Sequence, residues 1–272
     1  MVRTPATIGQ VWRRMRMKGH PKFSIVTVCR NAAATIEKTI QSVVSQTYEN
    51  IEYIVIDGQS TDATLSVVHN YDRHIARLIC EPDDGIYDAM NKGIRAATGD
   101  LVSFLNADDR LFNERSIECV ARFINGGPGD VDVYHGSVLV FDYEKGNGFV
   151  WKSGPISSFF IHREPLPHPA MFCRREAFEK NGLFDPTFTI SGDHEWTIRG
   201  LKRNGLRFQF MPVLVTVFAK GGISTSKAHV PEAQADTRRA ITTHFTPVED
   251  AWQGLRKRVR RKWKRLGRCL FP

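Results

Sequence analysis

Two carboxylates stand side by side directly after an apolar run in Leu101-Val-Ser-Phe-Leu-Asn-Ala-Asp-Asp109. At a strand exit they would repel each other unless a cation or hydrogen-bond donors lay between them. That points to a hard divalent metal with oxygen ligands and phosphate partners. Polar residues also follow three other apolar runs: Arg30-Asn31 after 23–29, Asp57 after 51–56, and Glu81 to Asp84 after 75–80. In open α/β sheets the carboxyl ends of the strands line one edge, where ligands bind. Asp57, Asp84 and the 106–109 cluster would converge there, although Asp, Asn and Gly are also ordinary turn formers. His168, between Pro167 and Pro169 and just ahead of an apolar run, is placed to face an acceptor or a diphosphate.

The elements that would carry these residues alternate. Residues 23–29, 51–56, 75–80 and 101–105 read as short strands, the first of them mostly apolar and β-branched, as expected for a strand buried on both faces. Between them, apolar residues recur at helical spacing over 33–46, over a segment opened by Ser60 or Thr61 as cap with Leu65 and Val68 on one face, and over 86–97, stopped by Gly99. Three strand–helix repeats closing on a fourth strand predict an α/β domain with a mostly parallel sheet. Beyond it the pattern is less regular. Residues 131–143 and 149–152 flank Lys145-Gly-Asn-Gly148, a hairpin signal. Helices are expected over 175–181 and 193–203. Residues 208–218 make a last strand, with Pro212 at an edge or a bulge.

No GxGxxG follows the first strand and no GxxxxGK[ST] occurs anywhere, which disfavours a dinucleotide-binding domain and excludes a P-loop. Four ordered blocks do carry a resemblance. Phe23-Ser-Ile-Val-Thr-Val-Cys-Arg-Asn31, Tyr53-Ile-Val-Ile-Asp-Gly-Gln-Ser-Thr-Asp62, Gly85-Ile-Tyr-Asp-Ala-Met-Asn-Lys-Gly93 and Ala97-Thr-Gly-Asp-Leu-Val-Ser-Phe-Leu-Asn-Ala-Asp-Asp109 resemble the family 2 glycosyltransferases, most closely the branch that builds bacterial exopolysaccharide and lipopolysaccharide. The likeness spans roughly 22–225. It implies the GT-A nucleotide-sugar fold, with a Rossmann-like, mostly parallel central sheet. It also implies a nucleotide-diphosphate sugar donor, a divalent metal (Mg2+ or Mn2+) and inversion of the anomeric centre. By that resemblance Thr27 lies beside the base, Asp57 hydrogen-bonds it, and 106–108 stands in the place of the DxD motif with Asp108 as metal ligand. Asn106 replaces the first Asp, and Met90 replaces an Arg common in the family. Asp84 and His168 join the donor and acceptor contacts.

Ser191-Gly-Asp-His-Glu-Trp196 resembles the family segment that carries the catalytic base. On a helix, residues 193 and 195 point about 200° apart, so only one can face the site squarely. Asp193, at the helix start, is the choice. Glu195 is second, an N-cap is Asp193's alternative role, and His194 is expected at the surface. Two rivals are a catalytically silent GT-A-like binding protein, which would not need both Asp108 and Asp193, and a nucleotidyltransferase. The latter would be expected to carry a glycine-rich loop after the first strand; Cys29-Arg-Asn-Ala-Ala-Ala34 has no Gly.

The 272 residues carry a net charge of +9, unevenly spread. Residues 1–22 hold six Lys/Arg and no acid, 252–272 hold nine and no acid, and the body between them is net −6. Three regions follow: a basic N-terminal segment (1–21), the GT-A domain (22–225) and a helical, basic amphipathic tail (226–272). Trp252, Leu255, Val259, Trp263, Leu266 and Leu270 fall at spacings of 3 or 4 in that tail. Such a helix suits an anionic membrane surface better than nucleic acid, so no nucleic acid is expected as a partner; the alternative is packing on the acidic body. The acceptor is expected to be a saccharide or lipid-linked. Five cysteines without a CxxC pair fit a reducing compartment. The longest apolar stretch, 12 residues from Phe208 to Ala219, falls short of the about 20 a membrane-spanning helix needs. A cytoplasmic protein on the inner face of the cell membrane is the expectation.

Overall fold

The computed structural model describes residues 19–222 and 226–256. The apolar pattern at Ile8, Val11, Trp12 and Met15, and the tail beyond residue 256, lie outside the described residues.

Strands β1 (Phe23–Cys29), β2 (Ile51–Asp57), β3 (Arg77–Cys80) and β4 (Leu101–Phe104) form the parallel half of a nine-stranded sheet, in the order β3-β2-β1-β4. Every residue of β1 is buried, because it has a strand on each side and packed layers above and below. Its side chains alternate between two cores: Phe23 and Ile25 join one, Val26 and Val28 the other. The connecting helices are α1 (Ile36–Val44), α2 (Thr64–His69) and α3 (Ile86–Ala96). Register sets Cys29, Asp57 and Cys80 in one row, so the strand exits share an edge as the sequence predicts. The α2 cap differs from expectation. Asp62 Oδ1 accepts from Thr64 N (2.9 Å) and Thr64 Oγ1 (2.5 Å), while Ser60 and Thr61 are drawn toward Asp57 and Asn31.

The sheet then turns antiparallel. β8 (Met171–Arg174) pairs with β4, β6 (Val133–Asp142) with β8, and the hairpin strand β7 (Asn147–Trp151) with β6. β9 (Phe208–Ala219) runs parallel to β6 and takes the short β5 (Arg110–Leu111) on its other side. Pro212 sits at the bulge: pairing jumps from His135↔Phe210 to Ser137↔Leu214. A helix over Ser116–Gly126 (α4) has no counterpart in the sequence reading, though Ile117, Val120, Ala121 and Ile124 bury one face of it. Next come α5 (Ser158–Ile161), α6 (Arg175–Asn181), α7 (Gly192–Lys202) and α8 (Val230–His244). Ala240, Ile241 and Phe245 share a core cluster with Trp196 and Phe184, so the packed body runs on to Phe245. A last helix, α9 (247–256), follows. No helix among the described residues is long and apolar enough to cross a membrane.

Candidate active site

A cleft of ≈660 Å³ opens at the strand exits, between β1, β4 and the start of α3 on one side and α7 with α8 on the other. Asn106, Asp108, His168 and Asp193 all line it. These four sequence candidates, spread over 88 positions of chain, are brought together.

The 106–109 turn separates its two acids. Asp109 is 1% exposed, and its Oδ1 accepts from Ala219 N at 2.9 Å while Oδ2 has no partner. Burial, reinforced by the charge of Asp108, pushes its pKa well up. Asp109 is thus a strut that ties the turn to the end of β9. Asp108 points into the cleft instead. A Cβ on Gly222, three residues beyond β9, would stand 2.6 Å from its Oδ2, so the chain leaving β9 passes close to this carboxylate. Burial raises the Asp108 pKa and His168 opposes the rise.

His168 bridges the two halves. Its Nε2 is 3.2 Å from Asn106 Nδ2 and its Nδ1 3.6 Å from Asp193 Oδ2. Burial lowers its pKa, with Asp193 and Asp108 acting in the other direction. A neutral ring that accepts from the Asn106 amide turns Nδ1–H toward Asp193, the arrangement in which neither contact is repulsive. Asn106 Oδ1 is then buried without a partner.

Asp193 Oδ1 lies 3.1 Å from the Tyr87 hydroxyl, which itself is 2.5 Å from Ile190 O. The helix begins at Gly192 with Ser191 at its N-cap, so Asp193 stands inside the first turn and is not the cap residue. Glu195 is committed elsewhere: Oε1 receives Arg199 Nε at 2.9 Å and contacts His244 Nε2 at 2.8 Å, in the core. One expectation, the placement of His194, is corrected here. His194 is buried, not at the surface: Nε2 is 2.6 Å from Ile161 O because α5 covers that face of α7. Thr27 does not reach the cleft wall; it has the strand parity of Phe23 and Ile25, and its hydroxyl is 3.0 Å from Tyr53 OH in the core. Asp84 is exposed, and the neighbouring Asp83, which accepts from Gly85 N at 3.1 Å, lines the cleft. Asp57 is fully buried at the β2 exit, where Ser60 N (2.8 Å), Ser60 Oγ (2.5 Å) and the Cys80 thiol (3.3 Å) surround its carboxylate.

The model of the family described as Glycosyl transferase family 2 matches residues 24–182. A PGL/p-HBAD biosynthesis glycosyltransferase of Mycobacterium bovis is 31% identical over 210 residues, covering 76% of this chain and 80% of that one. The chain belongs to glycosyl transferase family 2. Another relative of this transferase is an uncharacterized glycosyltransferase of Mycobacterium tuberculosis, 34% identical over 188 residues, 67% of this chain and 70% of that one. Among solved structures, S. aureus TarS 1–349 in complex with UDP-GlcNAc superposes with a TM-score of 0.63 at 21% identity, covering 85% of this chain and 69% of TarS 1–349. The Pyrobaculum calidifontis mannosyltransferase in complex with GDP-Man and Mn2+ gives 0.56 at 19%, covering 90% and 70%. The fold is GT-A, a mixed α/β architecture.

The family's divalent metal can be tested against the residues of this transferase. No group of three His, Cys, Asp or Glu side chains able to hold an ion occurs among the described residues. Asp108 is the one carboxylate on the 106–108 segment that faces the cleft, and Asn106, whose Oδ1 is buried without a partner, lines the same cleft. A single carboxylate suits Mg2+ or Mn2+, which keep waters and fill their shell with substrate phosphates. The donor set fits. Two residues of this site escape sequence reasoning. Tyr87 sits within a quoted block but carries no signal of its own. Asp236, on α8, accepts the backbone N–H groups of Thr189 (2.9 Å), Ile190 (2.8 Å) and Ser191 (3.2 Å) on one oxygen, anchoring the loop that leads into Asp193.

Proposed function

We propose that the protein moves a sugar from a nucleotide-diphosphate sugar to a hydroxyl of a saccharide or lipid-linked acceptor, with inversion, in bacterial surface polysaccharide synthesis. The observation that carries this is that Asp108 and Asp193 face one cleft from opposite sides, with His168 between them. Asp193 takes the proton of the acceptor hydroxyl as its oxygen bonds to the anomeric carbon. The bond from that carbon to the diphosphate oxygen breaks on the opposite face, and the nucleoside diphosphate leaves. Asp108 would hold a divalent metal, which when bound would supply charge neutralisation for the leaving diphosphate. Asp57 and Asn106 are assigned to the donor, and Asn106 Oδ1 offers an acceptor to a ribose hydroxyl or a phosphate-bound water. The nucleotide-sugar complexes of TarS and of the Pyrobaculum mannosyltransferase support the donor class.

Asp193→Asn tests the reading, because the amide keeps the shape and removes the base. Turnover is expected to fall by about 10²–10⁴-fold with donor affinity by calorimetry unchanged. Near-normal turnover would overturn it.

The same proposal places the protein on the anionic inner face of the cell membrane. Asp250 and Gln253 hold α9 on the body, Asp250 through His162 Nε2 at 2.8 Å and Arg238 at 2.8 Å. Val248, Trp252 and Leu255, four and three residues apart, are 79%, 57% and 45% exposed. The sequence 257–268 then adds eight Lys/Arg and no acid. Full-length protein is expected to co-sediment with anionic liposomes and be released by salt, and a chain ended at 256 to bind far less. Equal binding to neutral vesicles would remove the membrane from the proposal.

A further inference from the structure

We propose that Tyr87 is a positioning residue that fixes where Asp193 stands relative to the donor side of the cleft. This rests on the reading of Asp193 as the base. Tyr87 is the second residue of α3, whose preceding loop contributes Asp83 and Gly85 to the cleft wall. Its ring is 4% exposed, with the Phe184 ring 5.6 Å away and the backbone of Gly192 pressed against it. A Cβ at position 192 would fall 2.7 Å from the Tyr87 ring. Only glycine lets the first turn of α7 come this close, so the two helices are fitted to each other at this point.

The phenol then reaches two acceptors on the base-bearing side: Ile190 O at 2.5 Å and Asp193 Oδ1 at 3.1 Å. Burial holds its pKa well above the usual tyrosine value, so the oxygen keeps the proton it donates. His168 approaches the other carboxylate oxygen, Oδ2. Asp193 thus has the phenol at hydrogen-bond distance on one oxygen and the His168 ring 3.6 Å from the other. The phenol has one proton, shared between Ile190 O and Asp193 Oδ1; without it this three-centre bond is lost, and with it one rotational restraint on the carboxylate.

The experiment measures kcat, donor KM and thermal midpoint for Tyr87→Phe, Gly192→Ala, Asp193→Asn and the Tyr87→Phe/Asp193→Asn double variant. Tyr87→Phe is expected to lose roughly tenfold or more in kcat, within the coupling range of contacting residues, with donor KM unchanged. In the Asp193→Asn background the same change should cost nothing further. Gly192→Ala, which displaces the ring while leaving the phenol present, should reproduce the kcat loss even if Tyr87→Phe folds poorly. Tyr87→Phe turnover within about twofold of wild type, or a loss that multiplies in full on the Asp193→Asn background, would overturn the proposal and leave the base in place. Full turnover in Asp193→Asn itself would instead overturn the base reading, and this proposal with it.

Discussion

Glu52 gives the sharpest stability prediction, at the end of the sheet away from the cleft. It is 6% exposed, yet four donors converge on its carboxylate: Ser24 Oγ at 2.5 Å, Thr98 Oγ1 at 2.6 Å, Thr98 N at 2.8 Å and Lys22 Nζ at 3.0 Å. Burial alone would raise its pKa; the hydrogen bonds outweigh it and bring the group from 4.5 down to about 2. At 1.36 kcal/mol per unit that difference corresponds to ~3 kcal/mol of folding stability. The folded pKa lies below the unfolded one, so this increment is complete above about pH 4.5 and is lost as pH falls toward about 2. Urea unfolding at pH 7, 5, 4 and 3 should show it in wild type. Glu52→Gln should start lower by a similar amount at pH 7 and lose correspondingly less on acidification. Donor affinity should hold, because Glu52 lies near the start of β2 and Asp57 at its end. Equal stability of wild type and Glu52→Gln at pH 7, with parallel pH profiles, would refute the argument.

Asp108→Ala should abolish transfer and the strengthening of donor binding by Mg2+ or Mn2+, while chelation should stop turnover in wild type; calorimetry with and without metal checks both. Asp236→Ala leaves three backbone N–H groups without their shared carboxylate and should cost about 2–4 kcal/mol, with a larger fall in turnover than in donor affinity, read by urea unfolding and steady-state kinetics.

The parallel half was legible because β1, β2 and β4 are buried almost throughout and read as short, mostly apolar runs, while β3 at the sheet edge is partly exposed. Strand exits followed directly, and with them the edge that holds Asn106 and Asp108. The separation of Asp193 from Glu195 was also available from helix geometry, and the Arg199 that occupies Glu195 stands four residues on. Other features depend on which segments cover which faces. His194 is buried only because α5 docks over it, and Thr27 is shielded only because Tyr53 comes from the neighbouring strand. Neither docking leaves a mark in a local pattern. That Asp83 lines the cleft while Asp84 is exposed is a matter of one residue in a turn, and turn composition does not set which of two adjacent acids faces inward. Asp236 lies 43 residues beyond the base it helps to place, so no motif could pair them.

That last distance has a consequence for how the enzyme comes into being. The chain emerges from the ribosome N-terminus first, at about 5–20 residues per second. The four parallel strands and Asp108 are all out by residue 108. The loop of 189–191 gains its three-pronged tether only when α8 follows. A nascent chain therefore passes through a stage in which Asp108 has emerged and the loop before Asp193 is still untethered. Pulse proteolysis of chains stalled at successive lengths should show 189–202 becoming protected only after α8 has cleared the exit tunnel.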